Sequence, residues 1–123
     1  EGNLEFKAGF INNNSLSFTN ESEGHSYKKI LCMAFDISVY LAYVKNNYIR
    51  FLYHDGGLET LDNRKKVEFL NYVRTICETT GVQYIITVID SDIPPKFNFD
   101  KTEIIVSLHD EGDSGLLFKM PAW

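Results

Sequence analysis

The stretch YIRFLYHDGGLETLDNR, residues Tyr48 to Arg64, decides how this chain is read. An apolar run ends abruptly in His54-Asp55, two glycines follow, and Asp62 comes seven residues after Asp55. The run from Tyr48 shows little alternation, which predicts a strand of a parallel sheet covered on both faces. An acid at the end of such a strand has two readings. Aspartate is common in strand-to-loop turns because its side chain satisfies nearby backbone amides. A rigid strand can also hold a carboxylate as a hard oxygen ligand for magnesium, often through a water. Asp55 alone favours the turn reading.

Working outward, DNRKKVEFLNYVRTICETTG predicts an amphipathic helix with Asp62 as N-cap or first-turn acid. Val67, Leu70, Val73 and Ile76 or Cys77 form its apolar stripe, and Gly81 is placed to stop it. VQYIITVID, residues 82 to 90, then predicts a second buried strand, again ending in an acid, Asp90. Two strands joined by a helix make a βαβ unit with an expected right-handed crossover. Ligands gather at the carboxyl ends of strands in such sheets, which would put Asp55 and Asp90 on one edge.

Before this unit, YKKILCMAFDISVYLAYVK lacks Gly and Pro and is apolar nearly all round, predicting a long helix buried on most sides. Asp36 within it marks a narrow polar stripe. The loop NESEGHS precedes it, with Ser22, Glu23 or Ser26 as caps. LEFKAGF alternates, with Leu4, Phe6, Ala8 and Phe10 on one face. SLSFTN repeats the pattern with Leu16 and Phe18, so a hairpin with one buried face is expected. After the βαβ unit, Pro94-Pro95 exclude helix, and EIIVSL and LLFKM predict strands joined by the turn HDEGDSG. The expected architecture is α/β: an N-terminal β-hairpin (1–19), a loop and long buried helix (20–45), a βαβ parallel core (48–90) and a C-terminal β-hairpin (91–123).

The 123 residues, 44% of them hydrophobic, suit one domain and are too few for two. A net charge of −5 argues against a free-standing nucleic-acid binder, which would show a basic face. Cys32 and Cys77 lie in separate helices with no CxxC or Cys/His cluster, so buried free thiols in a reducing, cytoplasmic compartment are expected rather than zinc. No signal peptide stands out, and no apolar run is long enough to span a bilayer. The chain begins at Glu1 rather than Met, which is expected of a processed or excised piece.

No GxxxxGK[ST] P-loop occurs, so a phosphate cradle of that kind must come from other sequence or not exist. His25, His54 and His109 could supply a Ser-His-Asp triad, but no Gly-x-Ser-x-Gly elbow supports one. His54 and Asp55 point to opposite faces of their strand and form no dyad. A metal-dependent nuclease could use Asp55 with Glu59 or Asp90 and a lysine.

Three blocks in order carry a resemblance. ESEGHSYKKILCMAFDISVYLA resembles the signature loop and helix of ABC-type ATPase heads of the SMC, RecN and SbcC-like group. Ser22 and Gly24 match the serine and second glycine of that loop, and His25 falls where Gln or Glu stands. RFLYHDGGLETLD resembles Walker B plus D-loop, with Asp55 on the magnesium aspartate and Leu61-Asp62 on the D-loop pair. Gly56 stands where the family keeps its catalytic glutamate, and Glu59 is the nearest other carboxylate. In an alternative register His54 takes the first acid and Asp55 the second. QYIITVIDSDIP resembles the strand that ends in the switch histidine, with Ile89 or Asp90 at that place. The whole set looks most like a bacterial family of unknown function, the C-terminal halves of coiled-coil, SMC-like ATPases.

The resemblance implies the C-terminal lobe of a split head whose Walker A half lies far upstream across a coiled coil. It implies ATP and Mg2+ in the complete head, with Asp55 on the metal and Asp55 and Glu59 as catalytic acids. Ser22, Gly24, His25, Asp62 and Asp90 would contact nucleotide. The implied partners are the Walker A half, a second head, and DNA through the assembly, with no membrane. The isolated chain is expected to be inactive. Two alternatives remain: a non-catalytic interaction module that kept the fold, and a small metal-dependent hydrolase or nuclease.

Overall fold

The computed structural model describes residues 2, 9–19, 24–59, 61–109, 111–112 and 115–116, apart from the side chains of residues 25 and 26. Its regular elements are helix α1 (His25–Tyr43), strand β1 (Phe51–Asp55), helix α2 (Asn63–Thr80) and strand β2 (Gln83–Thr87), followed by a 3-10 turn at Asp90–Asp92. The chain is mixed α/β, and the β1–α2–β2 unit is parallel, with Phe51 opposite Gln83 and Asp55 opposite Thr87.

Helix α2 forms where its local signals place it. Asp62 is the N-cap, and its carboxylate accepts from the Lys65 backbone N–H at 3.0 Å. Gly81 ends the helix at φ 70°, a left-handed position that glycine takes without a Cβ penalty, and its N–H bonds to the Cys77 carbonyl at 2.9 Å. Leu70, Val73 and Ile76 are buried. Lys66 is buried too, and its ammonium meets Asp92 Oδ1 at 3.0 Å. A buried ammonium without such a partner is strongly unfavourable, so this pair pins the 3-10 turn to α2. Farther along, Arg74 grips both carboxylate oxygens of Glu103 at 2.7 and 2.6 Å, donates to the Asn98 carbonyl and lies over the Phe97 ring. The Arg74 guanidinium holds the Glu103 carboxyl below its ordinary range.

Both helices lie on one face of the two-stranded sheet. Ile37 and Tyr40 from α1, Ile76 from α2 and Val82 form one core cluster, with Leu52 and Tyr84 of the strands packed against it. A second cluster joins Leu58, Leu70 and Phe97, with Ile86 against it. Each such buried side chain contributes about 1.5–3 kcal/mol. The Tyr40 hydroxyl is buried with no hydrogen-bond partner among the described residues.

The other face of the sheet is open. Burial alternates along both strands, and Phe51, Tyr53 and Ile85 stay 53%, 54% and 40% exposed. The expected cover on both faces is therefore half present. Helix α1 shows the same thing. It buries Met33, Ile37 and Tyr40 on one stripe, while Leu41 and Tyr43 are exposed. Leu31, Ala34, Phe35, Ser38, Val39, Ala42 and Tyr43 line a shallow apolar groove along it. It is thus buried along one side and not on most sides. Asp36 lies exposed, as a polar stripe predicts, and Cys32 is exposed rather than buried. Burial of Cys77 is partial and raises its thiol pKa.

Other expectations also change. The N-cap of α1 is Gly24, with no side-chain cap bond; Ser22 and Glu23 lie outside the described residues. Strand β2 ends at Thr87, not Asp90, because its partner β1 ends opposite at Asp55. Of the N-terminal hairpin, the described part is a turn closed by an Ile11–Phe18 antiparallel bridge. Leu16 and Phe18 are exposed there, not on a buried face, since no described element packs over them. Leu4, Phe6 and Ala8 lie outside the described residues. Residues 103–108 are not a strand. Ile104, Ile105, Val106 and Leu108 are exposed, and among the described residues no partner edge pairs with them, so β-propensity alone makes no sheet there. The expected second strand, LLFKM, falls almost wholly outside the described residues.

Candidate functional site

The carboxyl end of the sheet is closed by one hydroxyl. Asp55 and Thr87 stand opposite each other in register, both on the open face. Thr87 Oγ1 donates to Asp55 Oδ1 at 2.5 Å and accepts from the Gly56 N–H at 2.9 Å. Asp55 is therefore held at a defined place rather than left as a loose turn acid.

The two glycines after it have separate reasons. Gly56 lies at φ 70°, and a Cβ there would fall on Glu59 Oε1 and lie 2.9 Å from Lys29 Nζ. Gly57 lies at φ 131°, and its Cβ would come within 2.7 Å of Met33 Sδ on α1. Both conformations suit glycine. The loop thus leaves the open face, squeezes past α1, drops Leu58 into the core and returns to Glu59.

Glu59 folds back over position 56. Its Oε2 accepts from the Gly57 N–H at 2.7 Å and from Lys29 Nζ at 2.9 Å. The Lys29 hydrogen bond, followed by the Gly57 amide, lowers the Glu59 pKa, so it is a carboxylate at neutral pH. A carboxylate therefore sits against the backbone at position 56, and it arrives from residue 59.

The starts of the two helices also meet. Lys65, in the first turn of α2, donates to the Tyr27 hydroxyl of α1 at 2.7 Å and stands 4.8 Å from the centre of that ring. Asp62 caps α2 next to this contact, and Lys65 Nζ lies 3.6 Å from Asp62 Oδ2. The Lys65 amide lowers the Asp62 pKa. Gly24 and the backbone of His25 open α1 close to Tyr27; the His25 side chain and Ser22 lie outside the description. The structure thus sets Glu59 against position 56, next in sequence to Asp55, and separately brings the starts of α1 and α2 together through Tyr27, Lys65 and Asp62. Asp90 does not join Asp55 in register; it is exposed in the turn beyond β2.

On the covered face, His54 bridges α1 and β2. Its Nδ1 is 2.7 Å from the Tyr84 hydroxyl and its Nε2 is 3.1 Å from Asp36 Oδ2. Burial pushes the Tyr84 pKa well up. His54 and Asp55 do face opposite ways, so His54 holds the layers together and is turned away from the strand-end carboxylate.

Sequence reading missed Thr87 and Lys29. Thr87 could have been found by aligning the strands from Asp55. Lys29 lies 30 residues from Glu59, and no periodicity links them.

Among the described residues no group of three or more His, Cys, Asp or Glu is placed to hold a metal ion. Asp55, Glu59 and Asp90 form no such group among the described residues. Magnesium is commonly held by one or two carboxylates with substrate phosphates and water, so a single anchored Asp55 fits a shared site. No helix among the described residues is long and apolar enough to cross a membrane.

No curated protein and no solved structure matches this chain. A family model described as an uncharacterised protein conserved in bacteria matches residues 1–122. The strand-end aspartate, the glycine loop and the capped α2 therefore all lie within the matched span, and the chain belongs to this uncharacterised bacterial family, DUF2326.

Proposed function

We propose that this chain is the C-terminal lobe of an ABC-type, SMC-like ATPase head, completed by a P-loop half from the same protein. One observation carries the reading: a parallel strand pair presents an anchored aspartate, Asp55, on a sheet face that no described element covers. Parallel sheets are ordinarily covered on both faces. An exposed apolar sheet face is what an interface looks like before its partner arrives, and α1 carries a separate apolar groove on the side turned away from its buried stripe. The strand-end acid, the helix-start loop near Gly24 and the Asp62 cap support the same reading through their resemblance to Walker B, signature and D-loop motifs.

In this reading Asp55 holds Mg2+, which when bound neutralises developing phosphate charge. Thr87 fixes the Asp55 rotamer. Glu59 would accept a proton from the water whose oxygen attacks the terminal phosphorus of ATP, while the bond from that phosphorus to the bridging oxygen breaks and ADP leaves with its electron pair. The start of α1, with Ser22, Gly24 and His25, offers backbone N–H groups to the phosphates of a nucleotide on a second head. Asp62 and Asp90 lie toward that interface. ATP then clamps two heads, hydrolysis releases them, and the movement serves DNA handling in the cytoplasm.

A second reading, a non-catalytic module that kept the fold, draws on Gly56. The left-handed backbone there disfavours any side chain, so the usual acid position is empty of its acid. Turnover by the full-length protein separates the two.

Completion of the open face is tested by hydroxyl-radical footprinting of residues 1–123 and of the full-length protein. Phe51 and Tyr53, the exposed aromatics of β1, are expected to label in the short chain and to be shielded in the long one. Equal labelling in both would contradict the split-lobe reading.

A further inference from the structure

Two of the groups that hold Glu59 come from different directions. The Gly57 N–H comes from its own loop, and the Lys29 ammonium reaches across from the second turn of α1. Both meet the same oxygen, Oε2, while Oε1 takes the place of a Cβ on Gly56. A loop carboxylate without such restraint would sample several rotamers, and misplacement of about 1 Å costs about a hundredfold in rate at a reacting centre. Lys29 also lies five residues after Gly24 on a continuous helix, so a displacement of the α1 start would be felt at its ammonium.

We infer that Lys29 is a positioning residue that holds the Glu59 carboxylate over position 56 and couples it to the start of α1. The inference rests on the ATPase reading above. Both side chains are well exposed, at 45% and 38%, and ion pairs of that kind add little to folding. Variants at Lys29 are therefore expected to fold, and a fall in rate would report positioning.

The test is steady-state ATP turnover by the full-length protein with Mg2+. Lys29→Met is expected to lower kcat by about tenfold or more with little change in KM. Lys29→Arg, which keeps the charge and the donor, is expected to recover most of that loss. The double exchange Lys29→Glu with Glu59→Lys rebuilds an ion pair without an acid at residue 59, and is expected to stay inactive. Wild-type kcat in Lys29→Met, a change in KM alone, failure of Lys29→Arg to recover, or restored turnover in the double exchange would each overturn the role of Lys29. Asp55→Asn is measured alongside. If it is inactive while Lys29→Met matches wild type, only the inference about Lys29 falls. If it turns over like wild type, the ATPase reading fails and the inference goes with it.

Discussion

Asp55→Asn in the full-length protein is expected to lower Mg2+-dependent ATP turnover by about a hundredfold or more, since metal-held charge stabilisation is worth several kcal/mol and each 1.36 kcal/mol is tenfold. The substitution is close to isosteric. Its amide oxygen can still accept from the Thr87 hydroxyl, so the strand ends stay closed and the fold is retained. What is lost is the negative charge and a hard oxygen ligand on the open face. A circular dichroism melt matched to wild type, with turnover gone, is the expected pair of results. Unchanged turnover would remove Asp55 from the chemistry and return it to the role of a strand-end turn residue.

The largest effect on stability is expected from Leu58→Ala. Leu58 is 1% exposed and packs with Leu70 and Phe97. It is the anchor that lets the loop pass Gly56 and Gly57 and return Glu59 to Lys29. Leucine-to-alanine changes at fully packed sites cost about 3–5 kcal/mol, from lost transfer energy plus the cavity left behind. For a domain that owes its stability to a small margin, this is a large share. Urea unfolding is expected to show a clearly lower midpoint at an unchanged slope. A midpoint within error of wild type would mean that the loop is not fixed by this contact.

How much of this was legible in the sequence depends on whether the signal was local. Asp62 and Gly81 announce the two ends of α2 because capping is chemistry within a few residues. The parallel β1–α2–β2 unit follows from the run at Tyr48–Asp55, the helix and the run after Gly81. What the pattern does not reveal is whether a cover for an apolar face belongs to the same chain. The apolar residues of α1 and of β1 say that both sides are suited to burial, yet only one side of each is buried here. The same limit explains Ile104–Leu108, whose composition favours a strand but which has no partner edge among the described residues. The site was half legible. Asp55 and Glu59 were readable as acids near a strand end, but the Thr87 clamp needs the register of two strands, and the Lys29 contact needs the packing of α1 against the loop. In sequence the two glycines read as a break after the strand, with Gly56 at the place of the resembling family's glutamate. Their reasons are three-dimensional: one makes room for the Glu59 carboxylate, the other for Met33.

Placement of the Glu59 carboxylate over Gly56 also bears on the choice between an enzyme and a silent module. A missing acid in the sequence is not a missing carboxylate in space. Because Lys29 and the Gly57 amide keep Glu59 ionised, the group stands ready to accept a proton at neutral pH, although its lowered pKa makes it a weaker base than an unpaired glutamate. Such a base is compatible with slow turnover.

The most direct measurement is ATP hydrolysis by the full-length protein with and without Mg2+, run beside residues 1–123 alone. The split-head account predicts Mg2+-dependent turnover by the full-length protein, and neither binding nor turnover of ATP by the short chain. Tight ATP binding by residues 1–123 alone, or no turnover by the full-length protein under any metal condition, would contradict it.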